Sequence, residues 1–129
     1  MIIEGINIAL ASDNNYAQHV AVVAASILCN TKSNVHFHVL SDGISQPKIQ
    51  LIRQTIDNLG GQISVYDLSS YQCFDNLFTS GHISKAAYFR LDIANILPSD
   101  VDKVIYMDVD LLVLQDIAEL WNCDLQGKP

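Results

Sequence analysis

Short apolar runs alternate with amphipathic stretches along the chain, and this alternation limits the possible folds more than any other feature of the sequence. The apolar, β-favouring runs predict strands at 6–11, 35–40, 63–68, 103–107 and 111–114. Helical spacing of apolar residues, together with capping residues, predicts helices at 16–30, 45–59, 84–97 and, as a short helix or turn, 117–121. Strands that alternate with helices predict an α/β fold, with a mainly parallel sheet that carries helices on both faces.

Bulk composition excludes several classes of protein. The 129 residues amount to about one domain, and half of them are hydrophobic, which is enough for a core. The formal charge of −7 argues against a nucleic-acid partner. No apolar run reaches the ~18 residues of a transmembrane span and no signal peptide is recognisable, so a cytoplasmic protein is expected. The wide spacing of Cys29, Cys73 and Cys123 predicts reduced thiols.

The apolar run at 103–107 leads into two aspartates, Asp108 and Asp110, which are separated by a single residue. Period-two geometry places the two carboxylates on one face and Val109 on the other. Adjacent carboxylates in apolar surroundings repel each other and resist desolvation, so we expect a positive charge between them. Oxygen ligands of this kind suit a hard divalent cation. The segment from Asp92 onward is acidic throughout, with carboxylates at 92, 100, 102, 108, 110, 116, 119 and 124.

A second polar cluster, at 12–15, follows the first predicted strand. In an open parallel sheet, ligands bind outside the carboxyl ends of the strands, and both this cluster and the aspartate pair fall there. The glycine-rich fingerprints of dinucleotide-binding and P-loop proteins are absent from the sequence. The two clusters therefore predict a nucleotide site that is built without a glycine-rich loop.

Five sequence blocks, in this order and spacing, make the chain resemble the N-terminal part of a family 8 retaining glycosyltransferase. The blocks are ASDNNY at 11–16, FHVL at 37–40, HIS at 82–84, YFRL at 88–91 and KVIYMDVD at 103–110. This family has the GT-A fold, a Rossmann-like nucleotide-sugar-binding fold, and includes bacterial lipopolysaccharide α-galactosyltransferases and α-glucosyltransferases, and glycogenin. The resemblance covers essentially the whole chain, and implies that 1–129 is the nucleotide-sugar-binding part of a single catalytic domain.

The resemblance implies a role for each matching residue on the nucleotide side. Ala11, Asp13, Asn15 and Tyr16 match residues that bind the uracil and ribose of a UDP-sugar, and Tyr16 would stack on the base. Asp13 can accept hydrogen bonds from the base or ribose, and Asn15 can both donate and accept. Arg90 matches an arginine that reaches the donor sugar and the phosphates.

The resemblance also implies a metal site and an acceptor side. Asp108 and Asp110 match the carboxylates that bind Mn²⁺ (or Mg²⁺), with Val109 between them in the donor site and Asp108 also near the ribose. His82 and Ile83 match a segment that lines the acceptor pocket. A bridging cation would neutralise the nucleoside diphosphate leaving group, as Lewis acid and template.

The implied function is metal-dependent transfer of galactose or glucose from a UDP-sugar to a saccharide acceptor, with retention. The implied setting is synthesis of lipopolysaccharide or another cell-surface glycan, in the cytoplasm and peripheral to the inner face of the membrane. The chain departs from the family pattern because it ends before a His-x-x-Gly-x-x-Lys-Pro motif, which supplies the third metal ligand and a diphosphate-binding lysine. We therefore expect a chain truncated after the Asp-x-Asp region, inactive alone and prone to self-association through an exposed sheet edge.

Simpler structural roles remain open for the same residues. Asp108 and Asp110 are of a type that often serves turns or caps helices. Asp13 and Asn15 can cap the first helix, which is compatible with ligand binding. Arg90 lies on a predicted helix and can be a solvated or salt-bridged surface residue.

Two other functions also remain open. Haloacid-dehalogenase-type phosphatases end a strand in Asp-x-Asp, although there the motif usually lies on the first strand and precedes a small residue. Here the motif follows most of the α/β pattern and precedes Leu111 and Leu112. The second alternative is a non-catalytic nucleotide-binding module, which would bind UDP without turnover.

Overall fold

A computed structural model describes residues 5–70, 85–123 and 125–126. Within these ranges the strands are β1 (Ile6–Asp13), β2 (Val35–Asp42), β3 (Gln62–Asp67) and β4 (Ile105–Met107). The α-helices are α1 (Ala17–Cys29), α2 (Gln46–Asn58), α3 (Ile93–Ile96) and α4 (Ala118–Trp121). Two 3₁₀ helices, Asn14–Tyr16 and Lys85–Asp92, lead directly into α1 and α3.

The four strands form one parallel sheet in the order β3-β2-β1-β4. β1 and β2 pair along their whole length, from Ile6 opposite Val35 to Asp13 opposite Asp42. β4 joins the other side of β1 through three residues, with Ile105 opposite Ile8. The chain therefore builds the sheet in one direction as far as β3 and then returns to the opposite side of β1. Ligand crevices in open α/β sheets form where the strand order reverses in this way.

Apolar side chains on the two faces of the sheet form two separate clusters. One cluster joins Ile8, Leu10 and Phe37 to the buried stripes of α1 and α2. The other joins Ala11 and Leu40 to buried residues of the second 3₁₀ helix and its surroundings, which are Ala86, Phe89 and Leu97. Helical segments thus cover both faces, and the predicted α/β fold with its parallel sheet is confirmed.

The third predicted helix is wrong in type over most of its length. The segment from Lys85 to Asp92 is a 3₁₀ helix, and only the four residues from Ile93 to Ile96 are α-helical. Ala86 and Phe89 are both buried in the second cluster and are three residues apart. A 3₁₀ helix aligns side chains at that spacing on one side, so packing of this pair against the sheet favours the tighter helix. Ser84, the expected cap, lies outside the described residues.

The predicted strand at 111–114 is also wrong, because this stretch has no strand partner among the described residues. Instead, side chains at the end of α1 form hydrogen bonds with the backbone of this stretch. The N–H of Val113 donates to Ser26 Oγ over 3.0 Å, and the Val113 carbonyl accepts from Asn30 Nδ2 over 2.9 Å. These two hydrogen bonds satisfy the groups that a neighbouring strand would otherwise pair.

β4 is two residues shorter than the apolar run that predicted it. Lys103 precedes the strand, and its ammonium group donates to the Trp121 carbonyl and lies 4.7 Å from the centre of the Trp121 ring. Trp121 packs against the first cluster from the short helix α4. The described cysteines, Cys29 and Cys123, are free exposed thiols, whereas Cys73 lies outside the described residues.

A polar network lies on the second face of the sheet. His38, which is 1% exposed, has Nδ1 2.9 Å from the Tyr66 hydroxyl and Nε2 3.0 Å from Asn7 Oδ1. Because the Asn7 oxygen can only accept, Nε2 donates to it and Nδ1 accepts from Tyr66. His36 stacks on His38 at 4.2 Å between ring centres, and its Nε2 lies 2.7 Å from Ser64 Oγ. The two histidines therefore have a structural role, which is to join the strands through this network.

Candidate functional site

The loop that follows β1 is held by its own aspartate. Asp13 Oδ1 accepts hydrogen bonds from the backbone N–H groups of Asn15, at 2.9 Å, and Tyr16, at 3.2 Å. These bonds cap the 3₁₀ helix and fix the orientation of the carboxylate. The capping role that the sequence left open for Asp13 is therefore present. Ala11, two residues earlier in β1, is buried in the second cluster and can offer a ligand only its backbone.

Tyr16 presents a large aromatic surface at the start of α1. Its side chain is 53% exposed, and its ring meets His19 edge-on with 5.4 Å between ring centres. An exposed ring that is supported along one edge can accept a planar base on its free face. Asn15 is also exposed, so the two side chains that the sequence assigns to the nucleotide are both accessible from this loop.

The aspartate pair follows β4 directly. The strand ends at Met107, and the chain then turns, so the period-two geometry expected of a continuing strand does not extend through Asp110. Asp108 and Asp110 are nevertheless both exposed, whereas Val109 is half-buried and packs against the first cluster. The turn therefore anchors itself through Val109 and leaves both carboxylates accessible to a cation.

An open pocket of about 500 Å³ lies between this turn and α1. Its lining residues are Gln18, His19, Val22, Val109, Asp110, Leu111 and Leu112. Since His19 also touches the Tyr16 ring, the pocket joins the aspartate turn to the loop after β1. The two polar clusters that the sequence placed at strand ends thus lie at one edge of the sheet.

His19 and Gln18 were missed in the sequence as candidates for this site. Among the described residues His19 Nδ1 is buried without a hydrogen-bond partner, and no structural role is evident for that atom. Residues three apart on a helix lie on the same side, so the spacing between Tyr16 and His19 was the available signal. That signal does not reveal Asp110, which reaches the same pocket from a strand more than 80 residues away.

Electrostatics connect Arg90 to the aspartate turn. Arg90 is exposed near the end of the second 3₁₀ helix. Burial raises the pKa of the Tyr106 hydroxyl, the charge of Asp108 raises this pKa further, and the charge of Arg90 opposes the shift. Tyr106 therefore lies within electrostatic reach of both charges. The charges of Arg90 and Asp108 thus both act on one residue of β4.

The donor set at the turn fits a hard divalent cation. Asp108 and Asp110 supply carboxylate oxygens, which Mn²⁺ and Mg²⁺ both accept. Within the described ranges, no third histidine, cysteine, aspartate or glutamate joins them in one potential ligand group. This turn would therefore supply two carboxylate ligands to such a cation. His82 and Ile83, assigned to the acceptor side, lie outside the described residues.

Comparison with known proteins identifies the family at this point. The sequence profile of glycosyl transferase family 8 matches residues 7–129. The chain belongs to this family. The predicted resemblance is confirmed, and the assignment does not favour a haloacid-dehalogenase-type phosphatase.

Individual family 8 proteins match over nearly the whole chain. General stress protein A of Bacillus subtilis (strain 168) is 30% identical over 125 residues, which are 95% of this chain and 43% of the relative. Glycosyltransferase GlyF of Streptococcus pneumoniae serotype 4 is 28% identical over 121 residues, or 94% of this chain and 29% of GlyF. The chain therefore spans less than half the length of these relatives.

A solved structure confirms the fold. The galactosyltransferase LgtC, in complex with donor and acceptor sugar analogues, superposes with a TM-score of 0.82 and 33% identity. The match covers 93% of this chain and 43% of the LgtC chain. This chain therefore has the GT-A fold over the residues that the structure describes. Among the helices of the described ranges, none combines the length and apolar character that a membrane crossing requires.

Proposed function

We propose that this chain is the nucleotide-sugar-binding part of a single GT-A catalytic domain. The domain transfers galactose or glucose from a UDP-sugar to a saccharide acceptor, with retention of the anomeric configuration. One observation carries the proposal: the carboxyl ends of β1 and β4 are neighbours where the strand order reverses. Family membership and the likeness to a galactosyltransferase solved with donor and acceptor analogues support it.

The loop after β1 binds the uridine in this proposal. Tyr16 stacks its exposed ring on the uracil, and Asn15 supplies both a donor and an acceptor. Asp13 accepts from the base or ribose with a carboxylate that two backbone N–H groups already orient. Because the Asp13 carboxylate is held before the ligand arrives, its binding costs little conformational entropy.

The far side of the site handles the diphosphate and the sugar. Asp108 and Asp110 hold Mn²⁺ or Mg²⁺, and Val109 packs beneath them to fix the turn. The cation, when bound, offsets the negative charge that develops on the diphosphate leaving group. Arg90 adds a fixed positive charge near Asp108 and orients the donor sugar and phosphates. His82 and Ile83 line the acceptor side.

The biological setting follows from the resemblance to family enzymes of lipopolysaccharide synthesis. We propose that the acceptor belongs to lipopolysaccharide or another cell-surface glycan, and that transfer takes place in the cytoplasm, peripheral to the inner face of the membrane. The anomeric outcome is tested in a polypeptide that extends this chain to the length of its relatives. Proton NMR of the first product formed should show the configuration of the donor, and an inverted anomer would contradict retention.

Base selectivity tests the nucleotide assignment on the chain itself. Calorimetric titration with UDP and with GDP, in the presence of Mn²⁺, should show at least tenfold tighter binding of UDP. Tyr16→Ala should lower the affinity for UDP by about tenfold, since stacking on one base contributes ~1–3 kcal/mol to binding. Leu51→Ala, which also removes an exposed side chain but lies on α2, is the matched control. Equal affinities for UDP and GDP would contradict the uridine assignment.

Turnover separates the enzyme from its remaining alternative. A non-catalytic nucleotide-binding module would bind UDP with the same selectivity but transfer no sugar. In a polypeptide extended to the length of the relatives, release of UDP from a UDP-hexose should therefore accompany saccharide formation, and selective binding without either would favour the module.

A further inference from the structure

We infer that Lys48 and Asn14 form a brace that holds the nucleotide-binding loop in its working position from the neighbouring helix. Neither residue carries a contact to the nucleotide in the proposed function, on which this inference rests. Both would be positioning residues. They act through the backbone of the segment 13–16, which presents the groups that face the uridine.

Two contacts with α2 hold Asn14. Its carbonyl oxygen accepts from Lys48 Nζ over 2.8 Å, and its side-chain Oδ1 accepts from the backbone N–H of Ser45 over 2.9 Å. Ser45 is the N-cap residue of α2, and Lys48 lies in the first turn of that helix. These contacts span more than 30 residues of sequence and join the loop after β1 to the loop after β2. A loop tied in this way does not depend on its own short-range bonds alone.

The brace acts on the same peptide units that Asp13 caps. Asp13 Oδ1 binds the N–H groups of Asn15 and Tyr16, while the intervening Asn14 turns its oxygens toward α2. Rotation of the Asn14 carbonyl away from Lys48 would rotate the adjoining Asn15 amide and shift the Tyr16 ring. The loop is therefore fixed from two sides, and its geometry depends on both sets of bonds.

The position of Lys48 in its helix is otherwise unfavourable. The N-terminal turn of a helix carries partial positive charge, which disfavours a cation there. The first turn of α2 contains no acidic residue that would offset this effect locally. The Asn14 carbonyl supplies an acceptor for the ammonium group, and so accounts for a lysine at this place. Lys48 also lines an open groove of about 370 Å³ together with Asn15, which places its side chain beside the loop.

A direct contact between Lys48 and the donor diphosphate is the competing explanation. The two explanations differ in which ligand they affect. A brace acts on the uridine-binding groups, so its loss lowers the affinity for uridine and for UDP by the same factor. A direct charge contact acts on the phosphates, so its loss lowers the affinity for UDP and leaves the affinity for uridine unchanged.

Calorimetric titration of the chain with uridine and with UDP in Mn²⁺ tests the brace. Lys48→Met should weaken the binding of both ligands equally, by about three- to tenfold, the range of the net contribution of one typical hydrogen bond. Lys48→Arg keeps a donor and should restore most of the affinity. Lys32→Met removes an exposed lysine after α1 and is the matched control for charge. A loss confined to UDP, or no loss for either ligand, would overturn the inference.

Amide hydrogen exchange gives a readout that needs no ligand. In Lys48→Met and in Asn14→Ala the Asn15 and Tyr16 amides should exchange faster, while amides in the middle of β2 keep their wild-type protection. Asn14→Ala leaves Lys48 in place, so it tests the second contact even if Lys48→Met folds poorly. Wild-type chain that binds neither uridine nor UDP would contradict the proposed function. Unchanged exchange at both amides would overturn the brace by itself.

Discussion

Three aspartates, Asp13, Asp108 and Asp110, carry carboxylates at the ends of neighbouring strands. Their surroundings give these carboxylates different roles. One carboxylate oxygen of Asp13 accepts hydrogen bonds from two backbone N–H groups, which fix the orientation of this side chain in the loop. Asp108 and Asp110 are exposed, and within the described part of the chain no other potential metal ligand joins them as a third. Affinity for a cation should therefore depend strongly on each of these two carboxylates.

The metal assignment is tested at Asp110. Asp110→Asn keeps the size of the side chain but removes a charged ligand, so Mn²⁺ affinity should fall by at least tenfold, which corresponds to ~1.5–3 kcal/mol for a lost contact of this kind. Electron paramagnetic resonance of free Mn²⁺ measures the affinity directly. Asp102→Asn, an exposed aspartate of the same acidic segment, is the control. Equal Mn²⁺ binding by both variants would contradict a metal site at the turn.

Among the elements, α2 shows how local sequence fixes an end. The N–H of Gly61 donates to the Ile56 carbonyl over 2.9 Å, and the N–H of Gly60 donates to the Asp57 carbonyl over 3.1 Å. These are the two bonds of a Schellman motif, with Gly60 in the left-handed region at φ +85°. Gly60 therefore ends this helix through its backbone conformation and not through side-chain contacts.

Replacement of Gly60 tests this explanation. Gly60→Ala should lower the free energy of unfolding by ~1–2 kcal/mol, because a Cβ disfavours the left-handed region although no atom lies close to it. Gly60→Asn should cost less, since asparagine tolerates that conformation better. Chemical denaturation measures both. Equal losses of stability in Gly60→Ala and Gly60→Asn would contradict the role of φ. Gly61→Ala does not test φ, because its Cβ would lie 2.9 Å from Ile56 Cγ2.

The hydrogen-bonded network around His38 joins the three adjacent strands β1, β2 and β3, and its stability depends on pH. The pKa of His38 is lowered to about 4, chiefly by burial and also by the neighbouring His36, whereas Asp100 opposes the shift. Burial also lowers the pKa of His36. The neutral His38 ring donates to Asn7 and accepts from Tyr66, so protonation would leave two donors where the network offers one acceptor.

Acid should therefore destabilise the sheet through His38. In the unfolded chain its pKa is near 6.5, so the unfolded state takes up a proton first as pH falls, and stability declines between about pH 6.5 and 4. The loss should amount to ~1–3 kcal/mol. Calorimetric melting between pH 7.5 and 4.5 should show a weaker pH dependence in His38→Gln than in the wild type. Parallel curves for the two proteins would contradict this assignment.

The whole molecule exposes a group of large apolar side chains on one side. Val22, Leu111 and Leu112 line the pocket beside Asp110, and Leu112 and Leu114 are 64% and 79% exposed. The sheet also ends at β4, a strand of three residues with an open outer edge among the described strands. Contiguous apolar surface and open sheet edges both promote association of protein chains.

Self-association of the chain is the consequence that we expect. Sedimentation equilibrium should show species heavier than a monomer as the concentration rises into the micromolar range and above. Leu112→Lys combined with Leu114→Lys should shift the distribution to the monomer, because charge replaces apolar contact. Leu51→Lys changes a similarly exposed leucine on α2 and serves as the control. A wild-type chain that stays monomeric throughout would show that this surface does not drive association.

The sequence alone determined the features that depend on neighbours along the chain. Short apolar runs located β1, β2 and β3, and helical periods of about 3.6 residues located α1 and α2, because burial from water acts on each segment through its own residue pattern. The five sequence blocks, in their order and spacing, were enough to identify the family. The assigned uridine and metal roles still rest on those types and await the measurements above.

Tertiary structure decided what depends on residues far apart in sequence. Only the strand order puts β4 beside β1, and so brings Asp110, His19 and Tyr16 to one edge. The failed predictions at 84–97 and 111–114 have the same origin, because packing against the sheet and hydrogen bonds from α1 outweigh weak local preferences. The contact between Lys48 and Asn14 is also invisible in the sequence, since no local pattern specifies which loop a helix N-terminus will meet.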